Sequence, residues 1–156
     1  MLAQVADDFL PEPMSHGPEP GHIVMDINLL SVLVAAVVAF IASAGWYAAL
    51  GDAMVRHQRA WRGAEPAEAP RASQMLVFLG VAVAVSLAVA VVLDLAGVDE
   101  WLAGAGWGLL LWAGFVLTQW VSATAGEDVP VPLAAIHAGD WLVRLVAAGA
   151  IIGAWP

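Results

Sequence analysis

Four apolar stretches, each long enough to cross a lipid bilayer, occupy most of this 156-residue chain. They fall at 27–50, 74–96, 101–122 and 133–155. At a rise of about 1.5 Å per residue, about 20 helical residues cover a hydrocarbon core about 30 Å thick. One such stretch could be the buried helix of a soluble protein. Four of them leave too little polar surface to cover the rest. Hydrophobic residues make up 62% of the chain and charged residues 12%, against about 25% charged in a typical soluble domain. None of the stretches alternates with period 2, and all are rich in alanine, leucine or valine, so closed barrels are excluded in favour of helices. The fold expected is all-α: an integral membrane bundle of four transmembrane helices spanning 26–156.

Residues 1–25 stand apart. They contain Pro11, Pro13, Pro18 and Pro20, four acids and no arginine or lysine. Such a tail cannot form a core and is expected to be disordered; it also lacks the basic start of a signal peptide. His16 and His22 lie among Glu12, Glu19 and Asp26, but no regular element fixes them as metal ligands. Met25, directly before the first span, is a second candidate start. Cysteine is absent, which removes disulfides and thiolate chemistry. The formal charge of −9 argues against nucleic acid, which is held by many basic contacts.

Arginine sets the expected orientation. Arg56, Arg59, Arg62 and Arg71 all fall in the first connection, 51–73, and short arginine-rich loops stay cytoplasmic. Both termini are then expected outside, with Asp99 and Glu100 outside and Glu127 and Asp128 inside. Trp46, Trp101, Trp120 and Trp155 lie near span ends, as interfacial tryptophans do. The first connection, VRHQRAWRG, has the make-up of an amphipathic extension on anionic headgroups, although a topology signal explains its arginines without any binding role. Small residues recur four apart at Ala35, Ala39 and Ser43, at Gly104 and Gly108, and at Gly149 and Gly153, a spacing that lets helix backbones approach in lipid.

The fourth span carries the sharpest pattern. His137, Asp140, Trp141 and Arg144 stand at i, i+3, i+4 and i+7, on one helical face. Counted from Leu133, Arg144 lies about 16 Å deep, where a charge is expensive. Asp140, one turn away, can pair with it, so this face should turn inward. Matching depths predicts that it meets Ser43, Trp46 and Tyr47 of the first span and Thr118, Gln119 and Ser122 of the third. The second span, polar only at Ser86 and Asp94, should form a wall. The cluster of Ser43, Tyr47, Thr118, Gln119, His137, Asp140 and Arg144 has three readings. It is a structural lock of ion pair and hydrogen bonds, or a site for a small anion or a proton with Arg144 as fixed charge. In the third, His137 ligates haem or metal, but no other span offers a partner histidine and His57 lies beyond the end of its span.

INLLSVLVAAVVAFIASAGWYAALG at the start and IHAGDWLVRLVAAGAIIGAW at the end resemble the bacterial family called domain of unknown function 1761. The elements that carry the likeness are Gly45-Trp46-Tyr47, closing the first helix, and Gly153-Ala154-Trp155, closing the last. The resemblance covers 26–155 and implies a small membrane protein of four helices; it brings no reaction. Asp140 and Arg144 stand where the family pattern has less charged residues. No nucleophile motif, phosphate loop or metal spacing is present. The expectation is therefore a non-enzymatic structural or accessory membrane protein without a cofactor. Lipid is its surroundings, and a second copy or another membrane protein is its candidate partner. The alternative is a transporter-like bundle binding a small ligand or a proton through Arg144, Asp140 and His137.

Overall fold

The computed structural model describes residues 26–63 and 70–155. The tail 1–25, with its expected disorder and its histidines, lies outside the described residues. Four helices follow one another: α1 (Leu29–Arg62), α2 (Ala72–Leu95), α3 (Trp101–Gly126) and α4 (Val131–Gly153). Each is long and apolar enough to cross a membrane, and no strand occurs among the described residues.

Local chemistry explains where the helices start and stop. Asn28 caps α1, its Oδ1 accepting from the amides of Leu30 and Ser31 at 3.1 and 3.3 Å, which supplies acceptors for donors that have no partner within the helix. The sequence places the end of the first span at Leu50 and treats 51–73 as a connection. Instead α1 continues to Arg62. Hydropathy falls after Leu50, but the stretch from Asp52 to Arg62 contains neither glycine nor proline, so nothing breaks the helix. It ends at Gly63, whose φ of 63° is left-handed, a conformation glycine adopts at little cost. Arg59 and Arg62 in the last turn complement the helix dipole. The α2–α3 corner closes in the same way: Gly97 has φ 64°, and the Val98 amide reaches back to the Leu93 carbonyl at 3.0 Å. Pro132 sits in the first turn of α4, where its missing N–H leaves no bond unmade.

The hub is α4, which packs on all three other helices, whereas α1 and α3 have no close backbone approach. The central core joins Val32 and Ala35 of α1, Val89, Ala90 and Leu93 of α2, and Leu145, Ala148 and Ile152 of α4. A second cluster of Ala123, Val129, Leu133 and Ala134 takes in Met54 and Trp61 from the extension of α1. That extension is packed against the α3–α4 corner. Large apolar side chains such as Leu29, Ile41, Leu76, Val77, Phe115 and Val131 point outward. In water such exposure would mark an aggregating surface, whereas hydrocarbon accepts it without cost.

In the middle of α3, residues Trp112–Leu117 form a π-helical segment. Gly104 and Gly108 face α4 ahead of it, and a regular helical repeat would then turn Phe115, Thr118 and Ser122 toward α4. The wider turn slips the register by one residue. Val116, Trp120 and Ala123 pack inward instead, and Phe115, Thr118 and Ser122 are exposed.

Candidate polar site between α1 and α4

Helical spacing puts His137, Asp140 and Arg144 on the face of α4 that meets α1. Asp140 is 1% exposed, and its Oδ2 lies 2.9 Å from Nη2 of Arg144. The same Nη2 donates to Ser43 Oγ on α1, so one guanidinium ties a carboxylate on its own helix to a hydroxyl on the neighbour. Arg144 also stands 5.4 Å from the ring centre of Trp141, whose π-face attracts a cation. A charge this deep is tolerable only when it is paired and surrounded by dipoles in this way.

One turn toward the arginine-rich end, Tyr47 Oη and His137 Nδ1 form a hydrogen bond of 2.8 Å. On its other side His137 stacks on Trp120, with centroids 5.0 Å apart and planes 10° from parallel. Two tryptophans bracket this part of α4. Trp46 of α1 donates its indole N–H to the Ile136 carbonyl at 2.9 Å, and Trp112 of α3 donates to the Ala138 carbonyl at 2.7 Å. A buried indole needs an acceptor, and these carbonyls supply one. Gly139 makes room for the first: a Cβ there would overlap the Trp46 ring.

The structure thus brings together Ser43, Tyr47, His137, Asp140 and Arg144 of the residues singled out from sequence. Thr118 is not among them. It is exposed, and its Oγ1 donates to the Gly114 carbonyl of its own helix at 2.7 Å. Ser122 is likewise outside the cluster. Gln119 is exposed and meets the site only at its rim, beside His137, in a cavity at the arginine-rich end. The π segment is the reason, since its extra residue turns this part of α3 away from where a regular helix would aim it. Trp46 and Trp120, expected near headgroups, also make contacts within the bundle. Trp112 and Gly139 were missed by sequence reading, and no spacing rule singles out a mid-span tryptophan as a donor to a neighbouring backbone.

Two buried atoms of the ion pair, Asp140 Oδ1 and Arg144 Nε, have no hydrogen-bond partner, and neither has Ser86 Oγ on α2. Cavities open at both ends of the bundle. The one at the arginine-rich end, about 420 Å³, is lined by Gln58, Trp61, Arg62, Gln119, Glu127 and His137 among others. At the opposite end, about 320 Å³ lies between Asp26, Asn28, Asp94, Asp99 and Trp155. No grouping of three His, Asp or Glu side chains placed to hold a metal occurs among the described residues.

Four helices of membrane-spanning length and hydropathy, with a buried ion pair on α4 facing α1, define a class: a small multi-pass membrane protein. Within that class the chain belongs to the family described as Protein of unknown function (DUF1761), which matches it over residues 30–153. No curated protein and no solved structure matches the chain.

Proposed function

We propose that the protein is a non-enzymatic accessory protein of the bacterial inner membrane, and that the Asp140–Arg144 pair locks α1 to α4. One observation carries this reading: Arg144 joins the fully buried Asp140 to Ser43 on the other helix. Replacing Asp140 and Arg144 together by leucine removes the lock and leaves no orphaned charge. Buried pairs exchanged for apolar side chains often cost little or even stabilise, so the result is decisive in either direction. The lock predicts a lower melting temperature in detergent, and a double variant at least as stable as the parent would refute it.

The unpartnered Oδ1 and Nε atoms favour a second reading, in which the cluster binds a small ligand or a proton. A fully satisfied lock would leave neither atom bare.

The arginine-rich end belongs on the cytoplasmic side by the bias of short loops, which puts both termini outside. Because the chain has no cysteine, single cysteines report the side directly. Asp99→Cys should react with an impermeant thiol reagent added from outside and Glu127→Cys should not; the reverse pattern would invert the topology. For partners, a second copy or another membrane protein fits the lipid-facing helices.

A further inference from the structure

His137 occupies an unusual position between an open cavity and a buried carboxylate. Its ring lines the cavity at the arginine-rich end. Nδ1 is engaged by Tyr47 at 2.8 Å, while Nε2 has no hydrogen bond among the described residues. Asp140 lies within hydrogen-bonding reach of the Tyr47 hydroxyl, and its charge acts on the His137 ring as well. Its Oδ1 is nevertheless buried with no donor. A carboxylate oxygen in that state costs desolvation that a hydrogen bond would recover.

We propose that the cavity at the arginine-rich end is the mouth of a proton-binding site: His137 takes up a proton there, and Tyr47 responds by turning its hydroxyl hydrogen to Asp140 Oδ1. The inference develops the second reading above and does not rest on the lock.

Bond direction carries the argument. In the neutral ring that matches the orphaned Oδ1, Nε2 holds the hydrogen and Nδ1 accepts the Tyr47 O–H. In the protonated ring both nitrogens hold hydrogen, so Nδ1 must donate. Tyr47 Oη then becomes the acceptor, and its own hydrogen has to go elsewhere. Asp140 Oδ1 is the buried acceptor in this group that lacks a donor. The imidazole gains one proton from water in the cavity, and no other covalent bond forms or breaks. The imidazolium is then linked through one intervening hydroxyl to Asp140, whose charge it shares with Arg144.

The surroundings allow this. Facing His137 are Tyr47 and, across the cavity, Arg62 from α1; the uncharged Trp120 and Gln119 from α3; Glu127 from the α3–α4 connection; and Asp140 and Arg144 from α4 itself. Helix α2 contributes nothing to the cavity lining. Arg144, already paired with Asp140, and Arg62 both oppose a further cation. The Arg62 guanidinium, however, lies over Trp61 at 4.4 Å from the ring centre, and Glu127 offsets it on the same rim.

Tyr47 is the chain's single tyrosine, which makes the test direct. The full chain in lipid bilayers, with ring-¹³C tyrosine and ¹⁵N histidine, is titrated with acid. Infrared difference spectra follow the phenol C–O band, and nitrogen NMR follows the imidazole. The expected result is that the tyrosine band moves from a donor-only to a donor-and-acceptor hydroxyl in step with protonation of His137, and that His137→Gln loses the movement. A tyrosine band that stays fixed while His137 titrates, or that still moves in His137→Gln, overturns the proposal. So does a His137 that never titrates. If the variant does not fold, the parent's two signals still decide. The lock is judged by melting temperature and the proton site by this band, so either can fail alone.

Discussion

The two seams along α4 are built on opposite principles. Against α3 the contact is backbone on backbone. Gly104 meets Gly149 and Gly153, and Gly108 meets Leu145 and Val146; a Cβ on either would fall on carbonyl groups of α4. Against α1 the contact runs through large side chains: Trp46 on a carbonyl, Tyr47 on His137, Arg144 on Ser43. Lipid provides no hydrophobic drive for either pairing, so each must draw on something else. The glycine seam draws on close van der Waals contact and the polar seam on hydrogen bonds and charge. A seam of the first kind tolerates no added atom. The second can rearrange, which fits its place beside the cavity and the unpartnered carboxylate oxygen.

The sharpest way to break this comparison is to add bulk where only backbone can answer. In Gly149→Val the new side chain collides with the Gly104 carbonyl, and no rotamer relieves it. Overpacking costs about 1–3 kcal/mol in ordinary cores and more where nothing yields. The expected loss is therefore about 3 kcal/mol or more, read as a fall in melting temperature with loss of α3–α4 contact in a crosslinking assay. A variant that melts with the parent would show that the seam is not tight.

A smaller effect is expected at Gly139, where the obstacle is a side chain. In Gly139→Ala the Cβ meets the Trp46 ring, which can swing away at the expense of its bond to the Ile136 carbonyl. Losing one net hydrogen bond costs about 1 kcal/mol, so destabilisation of about 1–2 kcal/mol is expected. Tryptophan fluorescence should change as the indole N–H loses its acceptor, and Trp46→Phe should lessen the added cost of the alanine. Equal damage at Gly139 and Gly149 would erase the distinction between the seams.

These differences show what could be seen in the sequence and what could not. The four helices were legible because length and hydropathy alone set them. The face of α4 was legible too, because His137, Asp140 and Arg144 follow a helical period that survives into the structure. On α1, matching depth found Ser43 and Tyr47. On α3 it failed: depth gives a height along the helix and not a direction around it. The π segment at Trp112–Leu117 then turned Thr118 and Ser122 outward, and a run of uniformly apolar residues leaves no periodic mark of such a slip. The end of α1 was missed for a related reason. Hydropathy reports where lipid stops, and helix propensity, which continues to Arg62, reports where the helix does.

Glycines that meet nothing complete the series, and the smallest effect is expected there. Gly80 lies in α2, exposed, and a Cβ there would meet nothing within 4 Å beyond the adjacent backbone of its own helix. Its φ is not in the left-handed range, so alanine fits the backbone as it stands. What remains is the greater freedom of glycine in the unfolded chain, which disfavours it within a helix by about 0.5–1 kcal/mol relative to alanine. Gly80→Ala should therefore leave the melting temperature unchanged or raise it slightly. If it instead lowered stability as Gly149→Val does, glycine would matter on this bundle for a reason other than what its missing Cβ makes room for. The contrast between a glycine seam and a polar seam would then lose its physical basis.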